Sequence, residues 1–129
     1  MRFLVPYLAT YGLRPIRRFF PDFLWRVQAQ SKTAYLTFDD GPTAEGTRSL
    51  LDLLATYDAR ATHFLIGSHA RQHPALVQDM VKAGHRLGNH TFTHVDPWRV
   101  PSETLLQEAS RTTAVLEDIA GTPIRALRP

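Results

Sequence analysis

The chain has 129 residues, 43% hydrophobic and 21% charged, which is the size and composition of one globular domain with its own core. It contains no cysteine, so disulfide staples, thiol nucleophiles and thiolate-bound zinc are excluded, and any metal must bind through His, Asp or Glu. Five of the 15 basic residues but only one of the 12 acids fall within residues 1–30, so the formal charge of +3 belongs to the N-terminal end.

That end reads as a separate basic, aromatic segment, residues 1–30, ahead of a domain over 31–129. Arg14, Arg17 and Arg18 stand among Phe19, Phe20, Phe23, Leu24 and Trp25, while Pro15 and Pro21 interrupt any long amphipathic helix. Aromatics packed on the domain with solvated arginines are the expectation, and contact with an anionic membrane surface is the alternative. Met1 to Leu13 makes a poor signal peptide and is too short to span a bilayer, which leaves the location open between cytoplasm and envelope. No nucleic-acid-binding motif accompanies the positive charge, so that partner is not expected.

Ala34 to Phe38 is a short β-prone run ending at Asp39-Asp40-Gly41-Pro42, which predicts a buried strand with two carboxylates at its carboxyl tip. From Ala44 to Tyr57, Leu50, Leu51, Leu53, Leu54 and Tyr57 recur at helical spacing. Ala61 to Ile66 predicts a second strand, and His73 to Ala83 a helix with Pro74 in its first turn and Gly84 just past its end. His85 to His90 is a weaker third strand. Ser102, a plausible N-cap, opens a helix with the stripe Leu105, Leu106, Ala109, Val115, Leu116 and Ile119, stopped by Gly121 and Pro123. Ile124 to Pro129 is where a fourth strand would start. Strands alternating with helices predict an α/β fold on a parallel sheet, open or closed into a barrel.

In such a sheet, functional residues collect at the carboxyl tips of the strands, and the acidic pair and the histidines both fall there. His90 and His94 stand four apart, a spacing that places two imidazoles on one side of a helical turn. Taken alone, each motif also fits an exposed turn. Together they are more specific: adjacent carboxylates point in different directions, so one can bind an ion while the other handles protons. Two histidines and one carboxylate are a ligand set of catalytic divalent sites, zinc first, with cobalt, nickel or manganese also accepted.

Thr37-Phe38-Asp39-Asp40-Gly41-Pro42, followed about fifty residues later by His90-Thr91-Phe92-Thr93-His94, resembles the polysaccharide deacetylase family, the NodB-homology group. Ala61 to Gly67 and Gly84 to Asn89 extend the resemblance over roughly residues 34–129. It implies the N-terminal portion of a distorted seven-stranded (β/α) barrel, with the last strand present left as an open edge. It implies a metal-dependent hydrolase that removes acetyl groups from an amino sugar or polysaccharide such as chitin oligomers or peptidoglycan. By motif, Asp39 is the general base, Asp40, His90 and His94 hold one divalent ion, and Arg128 supports the base. The family's later motifs, which supply a further pocket wall and a histidine that protonates the leaving group, have no counterpart in the chain. The alternative is therefore a protein that binds metal or glycan without turnover. His63 stands where the family usually has an aromatic, and it joins His69, His73 and His85 as structural or exposed. Trp98 is expected in the core, with sugar stacking as its alternative role.

Overall fold

The computed structural model describes residues 32–129. The basic aromatic segment, and with it the membrane-contact reading, lies outside the described residues. Strand β1 (Leu36–Gly41) leads to helix α1 (Ala44–Thr56), and β2 (Ala61–Leu65) to α2 (Gly67–Gln72) and α3 (Pro74–Lys82). Strand β3 (Arg86–Asn89) is followed, after an irregular stretch, by α4 (Ser102–Ala120). The sheet has the order β1-β2-β3 with both pairings parallel, as the alternation of strands and helices predicts. The fourth strand is reduced to a single parallel bridge between Asn89 and Leu127. There the Asn89 N–H donates to the Ala126 carbonyl at 2.8 Å, and the Arg128 N–H donates to that of Asn89 at 2.9 Å.

The core lies between the sheet and the helices, where Leu65 of β2 packs with Ala70, Val77, Met80 and Leu116 of α2, α3 and α4. Leu51, Leu87, Val115, Ile119 and Ile124 close around it. Helix α4 ends where its sequence says it should, because Gly121 adopts the left-handed conformation (φ 66°) that no side chain opposes.

Several expectations fail for reasons of neighbourhood. Strand β1 is not buried: it sits at one edge of the sheet, and Leu36 is 40% exposed. Leu53, Tyr57 and Leu106 are also exposed, since a helical stripe is wider than the face that meets the core. Helix α4 begins at Ser102 itself, with Pro101 before it and no side-chain cap bond. Helix α2 has no apolar periodicity, being six residues long, and was not expected. Trp98 is 93% exposed rather than in the core. It rides on a turn in which its own N–H donates to Asp96 Oδ1 at 3.0 Å, so its ring projects from a loop. No helix among the described residues is long and apolar enough to cross a membrane.

Candidate metal centre

The acidic pair closes β1 where the pairing with β2 changes register, between Phe38 and Gly41. Asp40 takes a positive φ of 71°, a conformation that Asp tolerates better than most residues. The two neighbouring carboxylates part company there. Asp39 Oδ1 meets the Arg128 guanidinium, whereas Asp40 Oδ1 meets the two histidines. The Gly41-Pro42 peptide is cis, and the Gly41 carbonyl accepts the Ile66 N–H at 3.0 Å, tying the tip of β1 to the end of β2.

His90 Nε2 lies 3.2 Å and His94 Nε2 3.4 Å from Asp40 Oδ1, and a ligand atom from each residue can be chosen so that all lie within 4.8 Å of one another. Ligands about 2 Å from one ion stand roughly 3–4 Å apart, so the three side chains fit a single divalent cation without large movement. The His90 ring supports this. Its Nδ1 faces the Arg128 carbonyl, to which it can only donate, so the neutral ring presents a bare Nε2 lone pair toward Asp40.

The histidines do not reach each other through a helical turn. They flank a bend in which Thr91 and His94 have positive φ values of 60° and 57°, and their ring centroids are 4.9 Å apart. The amino end of α2 holds this bend: the Gly67 and Ser68 N–H groups donate to the Thr91 and Phe92 carbonyls, each at 3.0 Å. A side chain at Gly67 would collide with Phe92 and Thr112, both within 2.6 Å of an added Cβ. Asn89 Oδ1 accepts the Thr91 N–H at 2.9 Å, while Asn89 Nδ2 donates to the Ala109 carbonyl (2.7 Å) and Thr113 Oγ1 (2.9 Å) of α4.

Arg128 joins the site from the far end of the chain. Its Nη1 donates to Asp39 Oδ1 at 2.8 Å and to Thr37 Oγ1 at 3.2 Å, and its guanidinium lies 4.1 Å from the centroid of the Phe64 ring. His69, read from sequence as structural or exposed, donates from Nδ1 to the Asp40 carbonyl at 3.1 Å. His63 is 2% exposed, stacked on Phe38 and edge-on to His85, with its Nε2 unpartnered. Burial, followed by the charge of His85, pushes its pKa down to about 4. His85 is buried too, and its pKa is lowered by burial and then by Arg60; its Nδ1 accepts the Ala61 N–H at 3.2 Å. A cavity of about 180 Å³ beside the acidic pair is lined by Phe38, Asp39, Asp40, His63 and Met80 among others. Sequence reasoning missed Asn89, Gly67, Thr37 and Phe64 as parts of the site, because their roles are contacts across the fold.

Fold and site together define a parallel α/β domain that gathers two imidazoles and a carboxylate at its strand tips, beside a second carboxylate paired with an arginine. The family model for polysaccharide deacetylase matches residues 26–129, and the chain belongs to that family. It is 39% identical over 88 residues to the chitooligosaccharide deacetylase of Rhizobium leguminosarum bv. trifolii, covering 68% of this chain and 41% of that protein. The structure of peptidoglycan deacetylase PdaC from Bacillus subtilis superposes with a TM-score of 0.75 at 34% identity, over 80% of this chain and 51% of that one. A family 4 acetyl xylan esterase from Clostridium thermocellum in complex with a cobalt ion gives 0.70 at 32% identity, over 74% and 47%. The chain spans about half the length of these relatives, and the fold shared is the expected portion of the family barrel.

Proposed function

We propose that residues 31–129 form part of a metal-dependent deacetylase acting on an N-acetylated glycan, of the chitin-oligomer or peptidoglycan kind. The observation that carries the reading is the convergence of Asp40, His90 and His94 beside an Asp39 held by Arg128. Names of relatives support the substrate class: one acts on chitooligosaccharide, another on peptidoglycan. The donor set and the cobalt in the xylan esterase support a divalent cation, with zinc as the first choice and cobalt, nickel or manganese accepted.

Asp40, His90 and His94 would hold the cation, which when bound supplies Lewis-acid polarisation of the acetyl carbonyl and makes neighbouring water more acidic. Asp39 accepts the proton of the attacking water, and Arg128 keeps that carboxylate aimed. A carbon–oxygen bond forms and the carbon–nitrogen bond breaks as the leaving nitrogen takes up the proton that Asp39 accepted from the water, so the products are acetate and a free amine. The Arg128 carbonyl fixes the His90 tautomer, so one residue serves both halves of the site.

Acetate release from chitin oligomers, peptidoglycan and acetylxylan, measured on the complete protein, tests this. Chelation should abolish release and zinc or cobalt should restore it. Asp39→Asn should lower kcat by about 100-fold or more, the scale of a lost proton acceptor, with bound metal unchanged. Full turnover in that variant overturns the mechanism, and metal binding without acetate release from any glycan favours binding without turnover.

A further inference from the structure

The two histidines of the centre are held in different ways. His90 is buried, and its ring is anchored through Nδ1 on the Arg128 carbonyl. The His94 side chain is 55% exposed, and among the described residues no hydrogen bond from its Nδ1 orients it. Its aim toward Asp40 therefore depends on the backbone that carries it. That backbone is strained, with left-handed φ at His94 and at β-branched Thr91, and such conformations persist only where the surroundings over-determine them.

Between those two residues, the Phe92 and Thr93 N–H groups converge on one oxygen, Glu108 Oε2, at 2.9 and 2.6 Å. The Thr93 hydroxyl donates to the same oxygen at 3.0 Å. Bonds to a carboxylate are stronger than those between neutral groups, and two successive N–H groups aimed at one anion lock the peptide planes between Thr91 and Thr93. Glu108 lies on α4, the helix that Asn89 also grips. We propose that Glu108 is a positioning residue of the centre: its carboxylate holds the strained bend that aims His94 Nε2 at the cation. The proposal rests on the reading of Asp40, His90 and His94 as ligands. A glutamate that only attached α4 to the loop would change stability and leave the affinity of the folded site alone.

Cobalt titration of the complete protein, with Kd from chelator competition and the d–d absorption recorded, separates these roles. Glu108→Ala should weaken cobalt binding about 10- to 100-fold, the usual cost of losing an outer-shell partner, and should change the absorption. Thr93→Val removes one of the three donors at an exposed position, so it tests the same bond network if Glu108→Ala does not fold. It should give a smaller loss, and Glu108→Gln, which keeps a neutral acceptor, should recover part of the affinity. Leu54→Ala, ten residues along α1 from its first residue, should lower Tm while leaving Kd and the spectrum as in wild type. Unchanged cobalt binding in Glu108→Ala and Thr93→Val, or an equal loss in Leu54→Ala, overturns the role of Glu108. A wild-type protein that binds no cobalt removes the ligand reading and this proposal together, a result distinct from either.

Discussion

Arg128 donates to Asp39 at 2.8 Å, so the two ends of the described domain close on one carboxylate. The guanidinium also rests on the Phe64 ring and reaches Thr37, which restrains it on three sides. Arg128→Ala should reduce kcat roughly 10- to 100-fold with little change in metal content, because the lost contact acts on Asp39 rather than on the ligands. Arg128→Lys should recover only part, since an ammonium lacks the planar fork. Kinetics alongside bound-metal stoichiometry checks both, and loss of the metal in Arg128→Ala would mean that the side chain also keeps the Arg128 carbonyl in place against His90.

Removing a ligand should behave differently. Asp40→Asn and His90→Ala are expected to drop bound metal below stoichiometric levels and to abolish acetate release, with the protein still folded by circular dichroism. Elemental analysis after dialysis reads this directly. Normal metal content in both variants would place the cation elsewhere.

Acid should destabilise the fold through His63. Its folded pKa is lowered from 6.5 to about 4, so between those values the unfolded chain binds more protons and stability falls as pH falls. The full effect is on the order of 3 kcal/mol, reached once pH is below the folded value. His63→Phe keeps a ring against Phe38 and removes the titration, so urea unfolding at pH 7.5, 5.5 and 4.5 should show a shallower pH dependence than wild type. An identical slope in the two proteins would assign the acid sensitivity to other groups.

Gly88 tests the coupling between β3 and the arginine. A Cβ there would stand 2.5 Å from the Phe64 ring, which carries the Arg128 guanidinium. Gly88→Ala should cost about 1–3 kcal/mol by overpacking and should lower kcat more than it raises KM, because the ring must shift beneath Arg128. Thermal unfolding and steady-state kinetics measure the two effects, and a stable, fully active variant would refute the coupling.

Much of this protein was legible along the chain. The apolar run at Ala61 to Ile66, Pro74 in a first turn and Gly121 at a helix end are local signals, and each marks an element within one or two residues of where it lies. The acidic pair and the two histidines stood out as candidates too, since their chemistry is written in the residues themselves, but the helical turn expected between the histidines is a left-handed bend. Trp98 shows the limit: composition favours burial of a tryptophan, but whether anything packs on it depends on which loop carries it.

The sequence by itself determined the alternation of strands and helices apart from the short α2, the turns that end them, and which side chains could bind a cation, because those depend on neighbours in the chain. Tertiary structure alone decided that β1 would lie at an exposed edge, that the histidine bend would be left-handed, and that the Arg128 carbonyl, Asn89 and Glu108 would hold its residues. These are hydrogen bonds and contacts between distant segments, and their partners are chosen by packing, which no local period encodes.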